Sequence, residues 1–113
     1  MAVLTVQDIS RTGLNPPLAA AAAGGDAFPN AGRAFLRVKN AHATVARTVT
    51  VASQLPVGAL PQGAAKTDLA VSVPALQERL IGPLDPAAFN GSNGRVVVTY
   101  STEADVTVGA FAL

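Results

Sequence analysis

Two stretches constrain this chain most: Ala34–Asn40, AFLRVKN, and Arg47–Ser53, RTVTVAS. In the first, Ala34, Leu36 and Val38 fall on one side of an extended chain, and Phe35, Arg37 and Lys39 on the other. In the second, Val49 and Val51 alternate with Thr48 and Thr50. A two-residue period built on β-branched side chains marks strands with one buried and one wetter face. The six residues between them, Ala41–Ala46, suit a hairpin loop, so the two are expected to pair directly. The remaining strands are expected to lie around this pair.

Further period-two segments and turn signals follow. Ala2–Val6 reads as a short first strand, and Gln7–Pro17 as irregular because of Thr12-Gly13 and Asn15-Pro16-Pro17. Leu18–Ala23 leaves two readings open: one or two helical turns started by Pro17 and ended by Gly24-Gly25, or an extended, low-profile segment against a neighbouring surface. Asp26–Gly32 reads as a loop anchored by Phe28, with a turn at Asn30–Gly32. Leu55–Thr67 holds two prolines and two glycines and reads as the longest loop. Asp68–Val73 alternates with Leu69, Val71 and Val73 inward, and Pro74 closes it. Gln77–Gly82 is a further strand, and Asp85-Pro86 opens a single helical turn with Asp85 as cap. Asn90–Gly94 is a turn. Arg95–Tyr100 and Asp105–Phe111 are expected to form a closing hairpin across Ser101–Ala104.

The expected fold is therefore all-β: a single compact β-sandwich or jelly-roll-like barrel of about six to eight short strands. Residues 1–113 form one domain, with 1–25 as an irregular N-terminal arm and 26–113 as the β core. A chain of 113 residues suffices for one core that buries ~65% of the unfolded surface. Half the residues are hydrophobic and 13% charged, which favours a folded domain over disorder. Alanine and valine supply most of that apolar content, so the core is thin and association would strengthen it.

Composition excludes several functions. Eight basic and seven acidic residues give a formal charge of +1, without the clustered basic face that phosphate backbones require, so no nucleic-acid partner is expected. Cysteine is absent, which removes disulfides, thiolate metal sites and thiol catalysis. Met1–Ser10 lacks a basic region followed by an apolar run, so no signal peptide is expected, and no apolar stretch is long enough to span a membrane.

No catalytic constellation emerges. His42 is the sole histidine and has no second ligand beside it, so it reads as an exposed loop residue. The seven acids, Asp8, Asp26, Asp68, Glu78, Asp85, Glu103 and Asp105, are scattered. They offer neither a converging pair nor a calcium loop. No nucleophile elbow surrounds a serine, and Gly91-Ser92-Asn93-Gly94 lacks the lysine of a phosphate loop. Asn90-Gly91-Ser92 matches the glycosylation acceptor but reads as a turn. Arg33, Arg37, Lys39 and Arg47 make a small basic stripe, read either as strand solvation or as a surface for an acidic partner. No enzyme activity, cofactor, metal or small-molecule substrate is expected.

The opening MAVLTVQDISRTGLNPPLAAAAAGGDAFPNAGRAFLRVKN, the central TVTV strand, VSVPALQERLIGPL, and the closing NGRVVVTYS and DVTVGAFAL resemble small virion proteins of tailed bacteriophages, the capsid decoration or cement proteins. The resemblance spans nearly the whole chain, on strands and turns rather than chemical motifs. It implies a β-rich protein, made in the host cytoplasm, that binds the outer surface of an assembled capsid and bridges neighbouring major capsid subunits. Its partners would be the major capsid protein and copies of itself, often as a homotrimer. Binding the assembled shell and not its parts stabilises the shell by mass action.

The expected interface residues are apolar side chains in segments that should otherwise be polar: Leu4, Val6, Ile9, Leu14 and Leu18 in the arm, and Leu55, Val57 and Leu60 in the long loop. The arm is expected to reach a neighbour, adding a strand to an exposed sheet edge. A neck or tail adaptor of a tailed phage is one alternative. A carbohydrate-binding β-sandwich is another, with Tyr100 as the one tyrosine available to stack on a sugar.

Overall fold

The computed structural model describes residues 2–14, 18–53, 68–91 and 93–112. Among the described residues ten strands run in chain order: β1 (Ala2–Val3), β2 (Val6–Asp8), β3 (Ala19–Ala20), β4 (Asp26–Pro29), β5 (Ala34–Asn40), β6 (Arg47–Val51), β7 (Leu69–Val73), β8 (Glu78–Ile81), β9 (Arg95–Tyr100) and β10 (Val106–Ala112). One helical turn, α1 (Pro86–Phe89), precedes β9, and the Asp85 carbonyl accepts from the Ala88 and Phe89 amides. Sheet 1 has the order β1-β4-β9-β6-β7. Sheet 2 has the order β2-β10-β5-β8, with β3 also paired to β10. The molecule is the expected all-β sandwich, with more strands than the turn spacing suggested.

The alternation places the core correctly. Leu36 and Val38 from sheet 2 meet Val49, Val51, Val73, Val96 and Val98 from sheet 1, all fully buried. Valine suits this position because its branched Cβ fills a pleated surface at little rotamer cost. Phe28 and Leu84, the largest side chains with Leu36 at this depth, fill the space that valine leaves.

Pairing departs from expectation at both predicted hairpins. β5 pairs with β10 and β8, whereas β6 pairs with β7 and β9, so Ala41–Ala46 carries the chain from one sheet to the other. Alternation tells which face of a strand is buried, not which sheet it joins, and packed sheets stand ~10 Å apart, within a six-residue reach. Asn40 fixes this crossing: its Nδ2 donates to the carbonyls of Val45 and Val73, at 3.0 and 3.1 Å. Its Oδ1 accepts from the His42 amide. β9 and β10 likewise lie in different sheets. The turn between them is held by the Thr48 amide donating to Ser101 Oγ, and Asp105 takes a positive φ of 62°.

Two local readings also change, the open choice at Leu18–Ala23 is decided for the extended form, and one inward position fails. Asp26–Pro29 is strand β4, not loop, because Phe28 and Ala27 pair with Val96 and Val97 of β9; only Asn30–Gly32 turns. Ala2–Val6 divides between the sheets: β1 runs parallel to β4, and β2 parallel to β10. Leu18–Ala23 is extended, with β3 antiparallel to β10 and the Ala21 amide donating to the Val106 carbonyl. Leu69, expected inward with Val71 and Val73, remains 37% exposed because, among the described residues, β7 is the last strand of its sheet.

Candidate functional site

The arm, expected to reach a neighbour, adds its strands to its own sheets. Leu4 and Val6 pack against the core as partly buried residues, so their apolar character is spent within the chain. Leu18 is half-buried, bordering a shallow hollow with Leu4 and Val108. Ile9 and Leu14 behave differently. Past β2 the chain turns over the outer face of sheet 2, where Ile9 is 45% exposed and both residues line a hollow with Phe35, Leu80 and Phe111. Leu55, Val57 and Leu60 lie outside the described residues.

Register explains why this outer face is apolar at one end. Phe111 lies directly opposite Phe35, and Leu80 opposite Arg37, so one row carries two aromatic rings and the next a leucine. The Phe35 and Phe111 ring centroids are 5.9 Å apart and tilted by 36°, within the favourable range for aromatic pairs. Phe111 is buried, and Leu80 is 67% exposed. Two hollows of about 310 and 390 Å³ adjoin here, both bordered by Ile9, Phe35 and Leu80, and the second extends to Arg33 and Pro83. Phe35, Leu80, Pro83 and Phe111, which border these hollows, were not among the expected interface residues. The signal was present for Phe35, a large apolar side chain out of phase with the buried set of its own strand.

The basic stripe divides. Arg33 precedes β5, and Arg37 and Lys39 occupy its outer face, whereas Arg47 belongs to sheet 1 and donates through Nε to the Ala104 carbonyl. Arg37 forms a bidentate pair with Glu78, at 2.9 to 3.3 Å. Both partners are solvent-accessible, so this pair adds little stability.

A further hollow, with a largely apolar lining, is bordered by the polar side chains of Asp8, Asn30 and Arg33. Asn30 is fully engaged: its Nδ2 donates to the Leu84 carbonyl and Asn90 Oδ1, and its Oδ1 accepts from the Gly32 amide. Among the described residues Asp8 is the one carboxylate bordering this hollow. His42 is half-buried, and its Nδ1 accepts from the Thr44 and Val45 amides, so it shapes its loop. Glu103 and Asp105 are exposed on the turn before β10. Among the described residues, no three His, Cys, Asp or Glu side chains gather to hold a metal. Tyr100 packs its ring against the core and spends its hydroxyl on Asp26, which is unlike a sugar-stacking platform.

Compared with known families, curated proteins and solved structures, the chain matches none.

Proposed function

We propose that this protein is a structural, protein-binding module of a tailed-phage virion, docking on the outer surface of the assembled capsid and bridging major capsid subunits. One observation supports the docking role most: Ile9, Phe35, Leu80 and Pro83 form a contiguous apolar surface on the outer face of sheet 2. The phage assignment rests on the resemblance of the sequence to capsid decoration proteins. A 67% exposed leucine beside an aromatic pair is a favourable anchor, since burying such a side chain contributes about 1.5–3 kcal/mol. Copies bound side by side on a shell multiply modest contacts into firm attachment.

Quantitative mass spectrometry of purified particles tests this reading. Copy numbers near a whole-number ratio to the shell subunit are expected. A few copies per particle would move the protein to the neck or tail, and absence from particles would end the virion reading. Leu80→Asp should weaken binding to capsids about tenfold or more while leaving the domain folded, because Leu80 lies outside the core.

A further inference from the structure

The outer side of β5 carries a second pattern. Arg33, Phe35, Arg37 and Lys39 follow one another at alternate positions, opposite the buried Ala34, Leu36, Val38 and Asn40. Alternate residues of a strand are ~6.8 Å apart, so the row from Arg33 to Lys39 spans about 20 Å. Arg37 is neutralised by Glu78. Arg33 and Lys39, at the two ends, are exposed, and among the described residues neither forms an ion pair; Lys39 stands opposite Glu78, whose carboxylate is turned to Arg37. Asp8 borders the hollow beside Arg33 without pairing to it. The apolar surface of Phe35, Leu80 and Ile9 lies along the row between these two cations.

We propose that this face recognises an acidic protein segment: an extended stretch with carboxylates about 20 Å apart and large apolar side chains between them. The inference rests on the reading of this face as a docking surface and names the chemistry of its partner. Carboxylates would meet Arg33 and Lys39, while the apolar side chains cover Leu80 and Ile9. A basic partner would bring like charges together at both ends, which disfavours it. A nucleic acid is the poorer fit. Two free cations neutralise few phosphates, and the Phe35 ring is already tilted against Phe111 rather than presented as a stacking platform.

The test uses the isotope-labelled full chain, followed by amide chemical shifts, with three probes: a blocked Glu–Leu peptide with Glu, Leu, Leu and Glu at alternate positions and Ser between them, so that all four face one side of an extended chain, its Lys–Leu counterpart, and a short oligothymidylate. The Glu–Leu peptide should shift the amides of Ile9, Phe35, Arg37 and Leu80, and the effect should fade as salt rises. The double variant Arg33→Glu, Lys39→Glu changes two exposed side chains and should keep a dispersed, folded spectrum while losing about tenfold in affinity for that peptide. Equal binding of the Lys–Leu peptide, tighter binding of the oligothymidylate, no shifts on this face, or an unchanged affinity of the variant would each overturn the proposal. Capsid co-sedimentation separates this from the broader reading. Wild-type protein that binds the acidic peptide but no capsid sinks the capsid role alone. Salt-insensitive capsid binding shared by the variant sinks the acidic-partner inference alone.

Discussion

The Tyr100 hydroxyl donates to Oδ2 of Asp26 across 2.6 Å, tying the end of β9 to the start of β4. The same oxygen accepts from the Ala22 amide at 3.2 Å, so the carboxylate also holds the chain that leads out of β3. Asp26 is fully buried, and its Oδ1 has no hydrogen-bond partner among the described residues. Burial, followed by the hydrogen bond to Asp26 and the negative charge there, pushes the Tyr100 phenol well above its ordinary value.

This makes alkaline stability depend on one residue. An unfolded chain releases the phenol proton near pH ~10, and the folded chain holds it to higher pH. Between those limits the native state binds one proton more, so stability is complete below about pH 10 and falls above it, by at most ~1.4 kcal/mol per pH unit. Tyr100 is the only tyrosine and tryptophan is absent, so phenolate absorbance reports this site alone. Ionisation should coincide with alkaline unfolding seen by far-ultraviolet circular dichroism. A phenol that titrates normally while the fold persists would contradict the burial argument.

Tyr100→Phe should destabilise the domain by about 2 kcal/mol, because it leaves the buried Asp26 with one long backbone donor. Urea unfolding would measure it, and the slope of the transition should not change. Asp26→Asn keeps an acceptor for the tyrosine and should recover part of the loss when compared with Asp26→Ala.

The sequence was legible where one residue's position fixed its neighbours' environment. Leu36, Val38, Val49 and Val51 declared their burial by alternation, and all four are fully buried. What alternation could not convey was the sheet to which a strand belongs. That choice for β5 and β6 depends on Asn40 meeting the Val73 carbonyl, a contact across 33 residues of sequence. Asp26 failed for a related reason. An aspartate followed by alanine, phenylalanine and proline has loop character locally, and its place in a strand depends on Tyr100, distant in sequence. For the candidate site, Ile9 and Leu14 were found as apolar residues in an irregular segment. Leu80 was not, since neighbouring Leu80 and Ile81 look equally apolar until the pairing of Ile81 with Leu36 decides which faces inward.

Gly25 supports the same corner of the sandwich. Its φ is +94°, and a Cβ there would lie 2.5 Å from the Val98 carbonyl oxygen, a backbone atom held in the sheet. Gly25→Ala should combine left-handed strain with overpacking, about 2–4 kcal/mol together. A thermal midpoint lowered by roughly 10 °C is expected for a chain of this length. A shift of only a degree or two would mean that the turn relaxes without disturbing β9.

Removing residues 2–8 tests whether the arm is an appendage or part of the sandwich. β1 covers the outer edge of β4, and β2 covers Ala110–Ala112 of β10, both in parallel register. Their deletion bares two strand edges and withdraws Leu4 and Val6 from the core they pack against. Lost apolar burial alone should amount to about 2–4 kcal/mol. The bared edges present unpaired backbone groups, which favour edge-to-edge association. The truncated protein should therefore melt earlier and sediment as larger species, although the β5–β10 pairing at its centre survives. If instead it keeps the sedimentation and the melting midpoint of the full chain, β1 and β2 contribute little to the fold. The arm would then be free to leave its own sheets and pair with a neighbour.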